Sequence, residues 1–512
     1  MDKSKSRWTA LLALGLGALS AFAFRPIGIW LLMPVAFAIF FRLLNDTPSL
    51  KRALWLGWLF GLGQFVIGFN WIATAFTYQA AMPAWLGWIA LVLLSLYLAV
   101  YPMLAAGLAW TFGRQRPFAL VLGLAGAWAV TEWLRAGIFT GFAWNPVGVT
   151  LADTHLLNVA TLIGTYGLSA LVVLAGGMLW LLFRKEWRVG GGLLALIVAL
   201  HFVPRPATAE AAGRSVRVIQ PNIGQQDKWR PGYSEIAAQQ LARLSMQPGG
   251  GEPRLLFWPE AAVTNPLQDQ RGTPYDAYAA FERARVAAMV GPGDVLLTGG
   301  IALNSSDRTR VTSAANSVFI FGQGGRLLGR YDKAHLVPYG EYLPMRPLLS
   351  TLGLSRLAPG DVDFVSGPGA RTVNLPNWGK VGFQLCYEII FSGEVVDRRN
   401  RPDFIFNPSN DAWFGSWGPP QHLAQARLRA AEEGIPVIRS TPTGISAVVD
   451  AHGRIVKALP WREPGVIDAQ LPTATAPTFF ARFGNIIPLL LGFALIIAAI
   501  ALGRSRRYRT DT

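Results

Sequence analysis

One cysteine, Cys386, stands in 512 residues. No intramolecular disulfide can form, so the cysteine count leaves the redox compartment open. Histidine is nearly as scarce: His155, His201, His335, His422 and His452 are all there are. No His or Cys pair has metal-ligand spacing, so no metal site is expected. No glycine-rich phosphate loop is present either, and no cofactor is expected. Charge is also short, at 15% of residues, where soluble proteins carry about 25%. Acidic residues are the scarcer kind: 30 Asp and Glu face 46 Lys and Arg, for a net charge of +16. On a soluble chain that excess would suggest nucleic acid. Here the basic residues sit largely in short loops between apolar runs. Membrane topology explains them better, and no nucleic-acid partner is expected. No internal repeat or low-complexity tract stands out.

The charge deficit is uneven. Residues 8–203 are dominated by Leu, Ala, Gly, Trp and Phe. Residues 204–480 mix charge with frequent Pro and Gly, and 486–502 is apolar again. Three parts are therefore expected: a transmembrane bundle of seven spans over 1–203, a globular catalytic domain over 204–480, and a final span with a basic tail over 481–512. A span needs roughly 20 mostly apolar residues. Eight stretches come close: 8–24, 28–44, 54–76, 85–112, 117–135, 157–183, 189–203 and 486–502. The stretch 189–203 is the shortest and opens on three glycines. With a cytoplasmic N-terminus, the inner segments hold nearly all the loop Lys and Arg, including Arg42, Lys51, Arg114, Arg184 and Arg504, while the short outer loops hold Arg25 and little else. Seven spans then place the globular domain outside, and an eighth returns the chain. The first stretch also fits a signal peptide with small residues over Ala18 to Ala23. The segment 132–160 carries Glu132 and Arg135 three apart, then Trp144. It reads either as interfacial anchoring or as the lining of a lipid-binding cleft.

In the globular part, apolar runs rich in β-branched and aromatic residues recur at 215–221, 254–258, 294–303, 316–321, 380–391, 403–407, 435–440 and 445–450. These predict strands, several buried on both faces. Helical patterns lie at 233–247, 275–290 and 420–433, so the fold class expected is an α/β layered domain. A hairpin is expected over 316–331, turning at Gly322-Gln323-Gly324-Gly325.

Cys386 sits in Phe383-Gln384-Leu385-Cys386-Tyr387-Glu388. A lone cysteine in an apolar run is either an inert core residue or a rigidly held nucleophile. A nucleophilic thiol needs a base or a nearby cation. Glu260 follows a strand in Phe257-Trp258-Pro259-Glu260, as an exposed acidic turn or a general base. Lys333 lies in a stretch with few charges and many aromatics, and Glu341 follows eight residues later. The rival catalytic reading is a Cys–His dyad through His335, two residues from Lys333.

A Glu after a strand, then a Lys, then a Cys in this order resembles the triad of the nitrilase superfamily. FWPE at 257–260, YDKAHLVPYGEYLP at 331–344, QLCYEIIF at 384–391 and NPSNDAWFG at 407–415 resemble its membrane branch, the apolipoprotein N-acyltransferases. The resemblance implies an α-β-β-α sandwich, with Glu260 as base, Lys333 as electrostatic partner, Cys386 as nucleophile and Glu341 supporting Lys333. The backbone N–H of Tyr387 is a natural second oxyanion donor, and Glu388 stands beside it. Trp229, Trp413 and Phe414 either line an acyl path or fill the core, and Trp144, from the 132–160 segment, is expected with them as a substrate-binding residue. The activity implied is acyl transfer from a membrane phospholipid, through a cysteine thioester, to the N-terminal diacylglyceryl-cysteine of an apolipoprotein. The implied place is the bacterial inner membrane, with the catalytic domain periplasmic and the chain a monomer. Alternatives are a membrane-tethered amidase or nitrilase, and a non-catalytic scaffold. Apolar residues at 342–357, among them Leu343, Met345 and Leu348, read as a mobile lid or as ordinary packing.

Overall fold

The computed structural model describes residues 3–78, 82–207, 213–228, 230–249, 251, 253–357 and 362–504. Among these, the chain begins with helices α1 (Lys3–Ser20), α2 (Leu32–Asn45), α3 (Leu50–Gly68), α4 (Trp71–Ala75), α5 (Leu86–Leu98), α6 (Val100–Gly113), α7 (Pro117–Gly137), α8 (Ala160–Phe183) and α9 (Trp187–His201). Five stretches among the described residues are long and apolar enough to cross a membrane: Ser6–Ala23, Leu86–Gly113, Pro117–Gly137, His155–Phe183 and Ile486–Arg504. A sixth arises if α3 and the helical turns after it, which bend by 44°, count as one; α2 and α9 are apolar but shorter. Each apolar stretch read from the sequence falls on one of these helical segments or, at 54–76 and 85–112, on two in succession.

Strands and further helices follow: β1 (Ser215–Gln220), α10 (Tyr233–Ser245), β2 (Arg254–Phe257), β3 (Pro266–Asp269), α11 (Tyr275–Ala287), β4 (Val295–Asn304), β5 (Ser313–Phe321), β6 (Leu327–Asp332), α12 (Arg346–Leu349), β7 (Thr372–Leu375), β8 (Gly379–Phe383), β9 (Phe404–Pro408), α13 (Gly418–Glu433), β10 (Val437–Ser440), β11 (Ala447–Val449), β12 (Ile455–Ala458), β13 (Gly465–Gln470), α14 (Phe479–Phe483) and α15 (Ile486–Arg504). One sheet runs β13-β1-β2-β4-β5-β6, with β3 paired to β4; the other runs β12-β11-β10-β9-β8-β7. In each, three central strands are parallel and the outer ones pair antiparallel, except β3, which pairs parallel to β4.

Alternation sorts the side chains. Val216, Val218, Leu255, Phe257, Val318 and Ile320 meet Val381, Phe383, Phe404, Phe406, Ile438 and Val448 between the sheets. The opposite face of the first sheet, through Ile219, Leu256 and Phe319, packs on Leu241 and Leu244 of α10 and Val286 of α11. The opposite face of the second, through Ile405, Val437 and Val449, packs on Leu423, Ala426 and Ala430 of α13. The layers are therefore α-β-β-α. The same cluster takes in Phe65, Phe69, Trp71 and Trp144, so the second sheet's helical layer is also its contact with the apolar bundle. Buried polar groups tie that contact. Glu432 on α13 accepts from Thr165 N at 2.6 Å and Ser392 Oγ at 2.8 Å, while Trp144 Nε1 donates to Gln421 Oε1 at 2.8 Å.

Two strand expectations change. The run 380–391 is a strand only to Phe383, because Cys386 adopts φ 51° and starts the turn Cys386–Ile390. Its apolar residues are buried in that turn, which periodicity alone does not distinguish from a buried strand. Strands β3, β7, β12 and β13 lie outside the expected runs. The β12 residues Ile455, Val456, Lys457 and Ala458 are all exposed, so no alternation of buried and exposed positions marks it.

Glycine sets the spacing of the last helix. A Cβ on Gly126 of α7 would lie 2.4 Å from the Gly492 carbonyl of α15. Small residues allow such close helix approach in membranes. Gly126→Leu is expected to destabilise the protein by about 1–3 kcal/mol through overpacking. Thermal unfolding in detergent micelles reads this, and an unchanged midpoint would refute the close contact.

Candidate active site

Three loop ends converge where the two sheets meet. Beyond β2, Trp258 N donates to Leu297 O, and Gly299 N donates to Pro259 O at 3.2 Å. Gly299 has no substitute there: a Cβ would lie 2.6 Å from Ala261 N and Pro259 O. The missing side chain thus lets the turn that presents Glu260 lie flat on β4. Lys333 follows β6, with its N–H on Asn316 O and its carbonyl accepting from Gly367 N, both at 2.8 Å. Cys386 follows β8, after Gln384 N is fixed on Phe406 O at 3.0 Å.

The side chains form one buried group. Lys333 is 1% exposed. Its Nζ lies 2.8 Å from Glu341 Oε2 and 3.9 Å from Glu260 Oε1. Asn316 Nδ2 bridges the two carboxylates, donating to Glu260 Oε1 at 2.7 Å and Glu341 Oε1 at 2.8 Å. Val337 N donates to Glu341 Oε2 at 2.8 Å. Glu260 Oε2 is buried and has no hydrogen-bond partner among the described residues, which leaves an acceptor available for a proton. Glu388 ties two of the loops together: it accepts from Leu385 N (2.7 Å), Ala334 N (2.7 Å), His335 N (3.0 Å) and Tyr331 Oη (2.9 Å).

Burial, then the Glu260 carboxylate, push the Cys386 thiol well above its ordinary range; Lys333 and the Asn410 N–H pull the other way. Burial works against the Lys333 ammonium, but Glu341, Glu260 and Cys386 outweigh it and hold its pKa above the usual lysine range. The thiol is therefore neutral at rest and must lose its proton as it attacks. Lys228, 7% exposed, is a second buried cation. Burial lowers its pKa to about 8, against the opposing charge of Glu260.

The other residues singled out from sequence fall as follows. Tyr387 is buried, and its hydroxyl donates to Gly141 O at 3.1 Å. Trp144 has no exposed surface; its ring lies 4.5 Å from Trp71 and 5.0 Å from His422, at the contact between bundle and sheets. Phe414 packs 4.7 Å from Trp71, and half-buried Trp413 meets Tyr78 edge-on at 5.9 Å. Trp229 lies outside the described residues. His335 turns away from Cys386, with its ring 3.9 Å from Phe391 and Nε2 on Thr140 O at 2.9 Å. In the 342–357 stretch Leu343 is buried, while Met345 and Leu348 are exposed. Sequence reasoning missed Asn316 and Lys228, and it left the buried set Asp411, His422 and Arg439 unread. Arg439, a charge inside an apolar strand run, was the available signal.

A buried thiol, an ammonium and two carboxylates on an α-β-β-α sandwich, joined to an apolar helical bundle, define a membrane-associated protein of the nitrilase type. Residues 215–478 match the carbon-nitrogen hydrolase family, and residues 16–178 match the apolipoprotein N-acyltransferase N-terminal domain. The apolipoprotein N-acyltransferase of Rhizobium rhizogenes is 36% identical over 91% of this chain and 90% of its own. That of Rhodopseudomonas palustris is 34% identical over 96% and 95%. Among solved structures, Saccharomyces cerevisiae Nit3, of branch 10 of the nitrilase superfamily, aligns at 19% identity with a TM-score of 0.37, covering 55% of this chain and 98% of that one. The chain belongs to the apolipoprotein N-acyltransferase family.

Proposed function

We propose that this chain moves an acyl group from a membrane phospholipid to the α-amine of a diacylglyceryl-cysteine at an apolipoprotein N-terminus, by way of a thioester on Cys386. Glu260 takes the thiol proton as sulfur bonds to the ester carbonyl carbon. The lysophospholipid oxygen leaves with that proton. The amine then attacks the thioester carbonyl, loses a proton to Glu260, and the proton returns to the departing sulfur. Lys333 and the Tyr387 N–H stabilise the oxyanion in both halves. One donor of this kind is worth about 3–4 kcal/mol elsewhere.

The observation that carries the reading is the single buried group in which Lys333 meets Glu260 and Glu341 beside a neutral, buried thiol. The apolar bundle supports the choice of lipid substrates, since drawing an acyl chain into water costs ~0.8 kcal/mol per CH₂. In this reading residues 1–203 form seven spans, 204–480 the catalytic domain, and 481–512 the last span and its tail. The catalytic domain faces the periplasm from the inner membrane, and the chain acts as a monomer.

The test is intact-mass measurement after incubation with phospholipid and no acceptor. An acyl-sized increment, removed by hydroxylamine and absent in Cys386→Ser, is expected. Wild type without it, or with rapid loss to water rather than to an added lipopeptide amine, contradicts the transferase reading. Glu260→Gln separates the base from its charge. Turnover is expected to fall by roughly 10²–10⁴. Yet iodoacetamide should alkylate Cys386 faster at neutral pH, because losing a neighbouring negative charge lowers the thiol pKa and raises the thiolate fraction. Slower alkylation would count against that assignment.

A further inference from the structure

Beneath Cys386 lies a row of buried polar side chains that the transfer chemistry leaves unassigned. Arg439 on β10, Asp411, and His422 on α13 have no exposed surface. Arg439 Nη2 lies 2.7 and 2.6 Å from the two Asp411 oxygens, and Nη1 donates to Ser409 Oγ at 2.9 Å. His422 Nε2 faces the Cys386 carbonyl oxygen at 3.0 Å. A carbonyl only accepts, so Nε2 carries a proton and donates it. Burial, then the guanidinium, push the His422 pKa down despite Asp411. On its other side Nδ1 lies 2.9 Å from Asp411 Oδ1 and 3.1 Å from Arg439 Nη2, so the pair holds the ring against the Cys386 carbonyl.

Burying an ion pair is a poor route to stability, so this one invites a reason beyond packing. Cys386 supplies it. Its φ of 51° is left-handed, a conformation a residue with a Cβ holds only when its surroundings enforce it. The Cys386 carbonyl and the Tyr387 N–H belong to one planar trans peptide and point opposite ways. Anchoring the carbonyl on one side aims the N–H to the other.

We propose that His422, held by Asp411 and Arg439, is a positioning residue: by binding the Cys386 carbonyl it fixes the Cys386–Tyr387 peptide so that the Tyr387 N–H meets the oxyanion opposite Lys333. This rests on the thioester reading above. It makes a split that a merely structural role does not. Acylation builds an oxyanion, whereas iodoacetamide alkylation of the same sulfur does not.

The experiment uses the full chain in detergent, comparing wild type with His422→Phe, His422→Gln and Asp411→Asn. Intact mass follows thioester formation from phospholipid, and alkylation of Cys386 is timed in parallel. His422→Phe is expected to acylate roughly 10²–10³-fold more slowly, the loss seen for one oxyanion donor, with alkylation and the phospholipid KM changed less than about threefold. His422→Gln, whose amide can donate to the same carbonyl, should recover at least about tenfold of that loss. Wild-type acylation in His422→Phe, alkylation falling in step with acylation, or Gln no better than Phe would each overturn the clamp. If the Phe variant does not accumulate folded, Asp411→Asn, which frees the ring without adding bulk, should still slow acylation at least about tenfold. A wild-type acylation rate there overturns the clamp equally. A wild type that forms no thioester at Cys386 overturns the functional reading itself, whereas a wild-type thioester beside an unimpaired His422→Phe overturns the clamp alone.

Discussion

Cys386→Ala is expected to reduce acyl transfer by a factor on the order of 10⁵, the scale on which removing a covalent nucleophile acts in other enzymes. Thermal stability should barely follow. The side chain is small, and the β-carbon that remains fills most of its space; cysteine in a core behaves as a small hydrophobe. A shift of a few degrees in Tm is the expected ceiling, since about 1 kcal/mol moves a domain of this size by roughly 2–4 °C. The separation matters because Cys386 is only 5% exposed, and an inert core thiol would show the reverse pattern: modest destabilisation with activity retained. Non-additivity gives a sharper check. Groups acting on one proton and one bond fail together, so adding Glu260→Gln to Cys386→Ala should cost almost nothing further. An alanine variant keeping more than about 1% of wild-type transfer is incompatible with covalent catalysis at this position.

What the sequence made legible follows from which physical signals are local. Central strands β1, β2, β4, β9 and β10 are buried on both faces, so they appear as continuous apolar runs and were found within a few residues. The helical layers announced themselves by periodicity, and α13 ends at Gly434, whose φ of 66° closes the helix. Edge strand β12 has no buried face and was invisible. The turn at Cys386 was hidden for the opposite reason: its residues are as apolar as a strand, and only the left-handed backbone at one residue interrupts it. Glu260, Lys333 and Glu341 were nominated by their order and setting, but their joining through Asn316 was not readable. Asn316 sits in an apolar strand, 56 residues from Glu260 and 25 from Glu341, and nothing local marks a side chain whose partners arrive by topology. Trp144 is the instructive aromatic. From sequence it was either interfacial or lipid-lining; the structure puts its indole N–H on Gln421 of α13, where it joins bundle to sandwich.

The charge balance around Lys333 yields the second large effect. Lys333→Met removes the ammonium that contacts Glu260 and Glu341, and removing one partner of a buried pair is expected to destabilise by about 3–5 kcal/mol. Two carboxylates joined through the Asn316 amide would then repel each other in a buried site, with Lys228 as the remaining buried cation near Glu260. Transfer should fall at least about 10³-fold, because the oxyanion loses its cation. Lys333→Arg should not rescue it. The planar guanidinium cannot place a point charge in a space built around one ammonium at 2.8 Å from Glu341. The decisive variant is the double Lys333→Met/Glu341→Gln. Removing the second carboxylate relieves the repulsion, so most of the lost stability should return while transfer stays near the floor. Contacting residues couple in this way, with interaction energies of about 0.5–3 kcal/mol. Denaturation in detergent measures one axis and lipopeptide acylation the other. If the double variant recovered activity along with stability, Lys333 would be holding the fold rather than the oxyanion.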